Sequence, residues 1–159
     1  MEKDIKILKA TLGDAEGIAK IAYQVAKLHD DNAPDYFKPV AEDEQLKNIC
    51  DMLKDDNIVV FKAVEDKAIC GFLFLEVLNR PSSGLVYSKR GVILNLGVDE
   101  AKRGQGIGTK LIKTAEEYLK KQGISAMDMS VFAFNQGAIK LYERLGYKII
   151  DVSMRKVLK

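Results

Sequence analysis

The 159-residue sequence predicts a mixed α/β domain, and three observations carry that prediction. Apolar residues recur at two periods, in places every second residue and in others every third or fourth, so strands and helices are interspersed. Two apolar runs, "NIVVFKAVE" and "AICGFLFLEV", are separated by Asp66 and Lys67, as in an antiparallel hairpin. A third run, "GVILNLGV" from Gly91 to Val98, is apolar on both faces and reads as a central strand. It opens a strand, helix, strand unit ending at Phe132, which suits parallel pairing through a right-handed crossover.

Taken in order, "IKILKA" (Ile5 to Ala10) alternates as a strand, and Asp14 offers a cap for a helix with Ile18, Ile21, Ala22, Val25 and Leu28 on one face. A loop with two prolines runs from His29 to Pro39. A second helix, about Ala41 to Lys54, groups Leu46, Ile49, Cys50 and Leu53. After the three apolar runs, Ile107, Leu111, Ile112, Ala115 and Leu119 mark a helix that Gly123 should stop. "AMDMSVF" then alternates as a strand, with Met127, Met129 and Val131 on one face. "NQGAIKLYERLG" reads as a helix from its Asn cap to Gly146, and "YKIIDVSMRKVL" as a closing strand.

An apolar fraction of 47% with 30% charged residues fits a globular chain rather than a disordered or membrane one. A net charge of +2 is too balanced to point to nucleic acid. Apolar runs are strand-length and "MEKDIKILKA" lacks a signal-peptide core, so a cytoplasmic protein with no membrane partner is expected. No linker or repeat divides the chain, so the expected domain spans residues 1–159. Cys50 and Cys70 fit packed thiols better than a disulfide, and no Cys/His spacing resembles a metal site.

The chemistry concentrates in "RGQGIGTKLIK", where Gly104, Gly106 and Gly108 lie between the buried strand and the first turn of its crossover helix. Amides there have no internal partners and the helix dipole adds positive charge, so an anion such as a phosphate is expected to approach. The segment fits neither the P-loop pattern nor G-x-G-x-x-G. The structural alternative is a tight turn that packs strand against helix.

Two segments resemble motifs of the GNAT family of N-acetyltransferases. Arg103, Gly106 and Gly108 match Q/R-x-x-G-x-G/A, and "NQGAIKLYERLGY" matches N-x-x-A-x-x-x-Y-x-x-x-G-[FY], in the family's order; the specific match spans Val92 to Tyr147. The resemblance implies an α/β (α+β) fold whose mixed, mostly antiparallel central sheet splays between its fourth and fifth strands, with about four flanking helices. It implies an acetyl-CoA-dependent N-acetyltransferase, with acetyl-CoA as cosubstrate and no metal. The diphosphate of CoA would lie on the amides from Arg103 to Thr109, Gly104, Gly106 and Gly108 among them. The pantetheine arm would pair along Leu96 and Val98, with Gly97 suited to the bulge that opens the gap. Asn135 and Ala138 would form the facing wall.

The same resemblance makes Tyr142 the acid that protonates the departing thiolate. A phenol is protonated at neutral pH and can serve. Its plainer reading is a half-buried aromatic between Leu141 and Leu145. Many family members place a glutamate base where Leu94 stands here, so the base is left among Glu76, His29, Tyr87 and water; His29 itself reads more simply as a solvated helix end. Acids and aromatics in the first loop (His29, Asp30, Asp31, Asp35, Tyr36, Phe37) favour a small cationic amine as acceptor. Protein N-termini or lysines, and a non-catalytic acyl-CoA-binding module, are the alternatives, and a homodimer is left open.

Overall fold

The computed structural model describes residues 4–81 and 84–158; the first residues of the N-terminal stretch lie outside them. Five strands, β1 (Lys6–Lys9), β2 (Ile58–Glu65), β3 (Ala68–Asn79), β4 (Lys89–Val98) and β5 (Met127–Met129), form one sheet in that order. The first four are antiparallel to their neighbours, and β5 runs parallel to β4. The helices are α1 (Ala15–Asn32), α2 (Glu42–Lys54), α3 (Ile107–Lys120) and α4 (Gln136–Arg144). Helix α3 is the crossover that a parallel β4–β5 pair needs.

The sheet is buried on both faces, which is why β3 reads as continuous apolar sequence. Phe72 and Phe74 point into a cluster with Ile18, Ile21, Ala22 and Ile49 of α1 and α2. Leu73 and Leu75 point the other way, into Ile107, Leu111, Ile112 and Ala115 of α3. Each such side chain contributes about 1.5–3 kcal/mol when fully buried, so the two clusters hold the helices to the sheet from both sides. The β2–β3 turn is where the sequence places it, with both Asp66 (φ 48°) and Lys67 (φ 68°) left-handed, as a two-residue hairpin with this twist requires.

Three local expectations are corrected. Asp14 does not cap α1: its carboxylate accepts from the Thr11 amide (2.8 Å) and pairs with Lys62 Nζ (2.6 Å), tying the helix start to β2. The strand expected from Ala126 to Phe132 pairs only over Met127–Met129. The closing strand expected after Gly146 does not form, because nothing in the sheet pairs with it; residues 148–158 are exposed and irregular. Cys70 is buried and its Sγ donates to the Ala63 carbonyl (3.4 Å), and burial pushes its thiol up, so it is a neutral packing group. No helix among the described residues is long and apolar enough to cross a membrane.

Candidate active site

The sheet opens between β4 and β5, its last two strands. Strand β4 pairs with β5 at Gly91–Met127, Val92–Asp128 and Ile93–Met129 and no further, although β3 follows it to Val98. The divergence starts at a bulge: Leu75 faces Ile93 and Phe74 faces Asn95, so Leu94 is the extra residue. Arg90 Nε and Asp128 Oδ2, 2.6 Å apart, hold the closed end. Residues 94–98 therefore present one edge with no strand beside it. The bulge was expected at Gly97, which serves another purpose: a Cβ there would lie 2.5 Å from Phe72 Cε1 and 3.0 Å from Val25 Cγ2. Gly97 thus lets α1 and the Phe72 ring close on β4.

The glycine turn stands at the end of that edge. Asp99 Oδ1 accepts from the Ala101 amide (2.9 Å) and caps a short 3-10 turn, Glu100–Lys102, which Lys102 anchors to Glu65 and Glu100 N–H to Gln24 Oε1 (2.9 Å). Gly104 and Gly106 are both left-handed at φ 77°, and a Cβ on either would meet nothing within 4 Å. Their glycines answer to backbone conformation, and the space outside them is open. The first helical bond of α3 runs from Lys110 N–H to the Gly106 carbonyl (3.0 Å), so the amides of Ile107, Gly108 and Thr109 have no helical acceptor. No acid lies in that first turn. Arg103 curls back, its Nε donating to the Val98 carbonyl (3.3 Å).

Helix α4 closes on the same place. A Cβ at Gly108 would sit 3.5 Å from Leu141 Cδ2 and 3.9 Å from Val98 Cγ2, so the start of α3, the end of β4 and α4 meet there. Asn135 caps α4 through Oδ1, which accepts from the Ala138 amide (3.2 Å) and leaves its NH2 to donate elsewhere. Tyr142, two turns along, packs against the cluster that also holds Leu96 and Val98. Burial raises the pKa of its hydroxyl. Beside it, at 6.2 Å between ring centroids, Tyr147 donates its hydroxyl to Glu116 Oε1 (3.0 Å).

His29 is not a fully solvated helix end. It lies half-buried in a cluster that the sequence does not announce, its ring 5.1 Å from Phe37, 5.3 Å from Phe132 and 5.5 Å from Phe134. Tyr36 joins at 5.1 Å from Phe132. Three separate segments supply these rings: the end of α1, the loop after it, and the loop between β5 and α4. His29 Nδ1 lies 2.7 Å from the Val25 carbonyl, which can only accept, so Nδ1 carries the proton and the neutral ring keeps its lone pair on Nε2. Of the other candidate bases, Glu76 shares the α1–α2 face with Phe74, its register partner Ile58 packing there, while Tyr87 is exposed between β3 and β4. The loop expected from His29 begins only after Asn32, so Asp30 and Asp31 belong to the last turn of α1, where Asp31 is paired with Lys27 at 3.1 Å. A groove of about 570 Å³ between α1 and α2 carries three more carboxylates, Glu16, Glu42 and Asp43, against the single Lys20.

Known proteins share this fold. Among solved structures, a variant of the BH1408 protein from Bacillus halodurans superposes with a TM-score of 0.90 at 24% identity, covering 97% of this chain and 99% of that one. The aminoglycoside N-acetyltransferase AAC(6')-Iy in complex with CoA superposes at 0.78 and 16% identity, covering 100% and 97%. In sequence, the acetyltransferase Atu2258 of Agrobacterium fabrum is 36% identical over 111 residues, 68% of this chain and 79% of the relative. The uncharacterized N-acetyltransferase YdgE of Bacillus subtilis is 34% identical over 70 residues, so the match spans 45% of that relative. The profile of the acetyltransferase (GNAT) family matches residues 24–147, from the middle of α1 through the glycine turn and α4, and the chain belongs to that family.

Proposed function

We propose that the protein is an acetyl-CoA-dependent N-acetyltransferase that passes the acetyl group directly to a primary amine of a small cationic molecule. The observation that carries this reading is the open edge of β4 leading straight to the uncapped amides of α3. That pair of features fits a ligand with an extended amide arm and a diphosphate at its end. The turn offers donors, no opposing acid and no Cβ in the way, so the residues present suit CoA.

Bound acetyl-CoA supplies an electrophilic thioester and a thiolate leaving group. Arg103, Gly104, Gly106, Gly108 and Thr109 hold its diphosphate; Leu96 and Val98 pair with its arm; Asn135 donates to the arm from its free NH2, and Ala138 keeps that wall low. Tyr142 gives its proton to the departing sulfur. The acceptor arrives as an ammonium and must lose a proton before its nitrogen can attack the carbonyl. We assign that proton to His29 Nε2, whose lone pair the Val25 contact frees. The first proton of the ammonium goes to His29; the N–C bond then forms and the C–S bond breaks, Tyr142 gives its proton to the sulfur, and the second proton of the attacking nitrogen restores the Tyr142 hydroxyl, so the products are the amide, the CoA thiol and one proton held by His29.

The acceptor class rests on the ring cluster and the acids near it. The Arg155 guanidinium already lies 4.1 Å from the Tyr36 ring centroid, so this surface receives a cation on a ring face. An aminoglycoside is the substrate class named for one structural neighbour, and at 16% identity that likeness supports the fold. The test is thiol release from acetyl-CoA across a panel of polyamines, amino sugars, neutral amines, amino acids and peptides. Turnover with small cations supports the reading. Preference for a peptide or an acidic amine overturns the acceptor class, and CoA binding with no turnover on any amine leaves a binding module.

A further inference from the structure

Charged side chains are seldom buried unless something holds them there. Glu65, the last residue of β2, is 5% exposed, and among the described residues it is the charged side chain that the core admits. Its carboxylate accepts from Lys102 Nζ, whose own side chain is partly covered. Taking a carboxylate out of water is costly, and a well-packed apolar pair often serves stability as well or better. The ion pair is better accounted for by the place at which it holds Lys102.

Lys102 ends the short 3-10 turn that leads into the glycines. Behind it the backbone is tied down: Asp99 N–H donates to the Cys70 carbonyl (3.0 Å), Glu100 N–H to Gln24 Oε1 (2.9 Å) and Lys102 N–H to the Asp99 carbonyl (2.8 Å). Beyond it, among the described residues, no backbone N–H from Arg103 to Thr109 donates to a backbone carbonyl; the next to do so is Lys110, to Gly106 (3.0 Å). Gly104 and Gly106 lie inside that stretch, and glycine has the most conformational freedom to lose. The turn therefore spans from Lys102 to the start of α3, and the position of Lys102 sets where its amides point.

The direction in which Lys102 points is informative. An ammonium one residue before Arg103 could serve an approaching phosphate as a point charge. Glu65 instead draws it inward and cancels its charge. The arrangement forgoes attraction and keeps geometry. We propose that Glu65 is a positioning residue for the diphosphate turn: by holding Lys102, it sets the glycine turn and the N–H groups of residues 107–109 in the orientation that receives the diphosphate of CoA. This rests on the reading of that turn as the CoA site.

The measurement is the affinity of the full chain for acetyl-CoA, by titration calorimetry, beside its urea midpoint. Glu65→Gln keeps the shape and removes the charge that fixes Lys102, and acetyl-CoA should bind about tenfold or more weakly, as when a hydrogen bond between charged groups is lost. A second variant, Glu65→Leu with Lys102→Met, replaces the ion pair by an apolar pair of similar size and leaves the net charge of the pair at zero. It should hold the parent's urea midpoint or exceed it while binding acetyl-CoA weakly, and it carries the test if Glu65→Gln fails to fold. Parental affinity in the apolar pair overturns the proposal, because packing would then suffice to set the turn. So does Glu65→Gln binding as tightly as the parent, or more tightly, which would mean that a freed Lys102 serves the phosphate itself. A parent that does not bind acetyl-CoA overturns the reading of the turn, and this inference with it, before any variant is compared.

Discussion

His29 donates its Nδ1 proton to the carbonyl of Val25, one turn earlier on α1 and 2.7 Å away. Because the carbonyl can only accept, this contact fixes the tautomer and aims the lone pair of the neutral ring away from the helix. Phe37, Phe132 and Phe134 each pack edge-on with the ring. His29→Gln keeps a polar group of similar reach and removes the base. Turnover of a cationic amine should fall by about 10²–10⁴-fold, the range for a positioned acid or base. A loss of stability with turnover intact would show that the ring only packs.

Tyr142→Phe keeps the ring and removes only the hydroxyl. If Tyr142 protonates the leaving thiolate, kcat should fall by about 10²-fold or more while acetyl-CoA affinity is nearly unchanged. Part of the loss should return with a thioester whose thiol leaves more easily. The pH dependence has a definite sign. Burial raises the pKa of this phenol, so it is still protonated where an exposed tyrosine begins to ionise, near pH 10. The parent's activity should therefore show no alkaline limb below about pH 10 from loss of this acid. Full activity of the phenylalanine variant, measured by thiol release, would return Tyr142 to the wall of the cleft.

Gly106→Val tests the turn. No atom lies within 4 Å of a Cβ at this position, so the substitution causes no clash inside the protein. The φ of 77° is another matter: a side chain costs roughly 1–2 kcal/mol there, and a β-branched one more. The turn should relax to negative φ and swing the amides of residues 107–109 off their common target. Acetyl-CoA should raise the melting temperature of the parent and leave that of the variant unchanged, with far-UV circular dichroism the same for both. Equal ligand stabilisation in the two proteins would reduce the turn to a packing device.

The parts of the fold that could be read from the sequence are those governed by neighbouring residues. The Asp66–Lys67 turn, the Asn135 cap and the glycine-to-helix junction each depend on a few adjacent backbone angles, and residue type reports those directly. The candidate site residues on β4, α3 and α4 could be named from the sequence because all lie within two such local signals. What stayed hidden depends on residues far apart in the chain. The bulge at Leu94 is a matter of register against β3, and Gly97 looked like the bulge because nothing in the sequence shows the Phe72 ring beside it. The ring cluster around His29 draws on three segments with no shared spacing. Asp14 has the residue type of a cap, but Lys62, 48 positions away, holds its carboxylate. The strand expected after Gly146 has the right alternation, yet residues 148–158 join neither edge of the sheet, and pairing with a distant edge is something the segment's own residues do not report.

The last prediction concerns stability at high pH and rests on Tyr147. Burial raises the pKa of its hydroxyl, and the Glu116 carboxylate that accepts its proton raises it further, because a phenolate there would face a like charge. In the unfolded chain the same hydroxyl titrates near pH 10. A group whose pKa is higher in the folded state contributes stability that is whole below the unfolded value and is lost as pH climbs past it, since the unfolded chain then releases the proton first. The parent should lose denaturant stability progressively above about pH 10. Tyr142, raised by burial in the same core, adds to the slope. Tyr147→Phe removes one hydrogen bond, worth about 1 kcal/mol at neutral pH, and with it one of the titrating groups. Its urea midpoint should lie below the parent's at pH 7 and fall less between pH 9 and 11. Parallel curves across that range would mean that the Tyr147 hydroxyl titrates alike in both states, and that its contact with Glu116 contributes nothing to holding the end of α4 on α3.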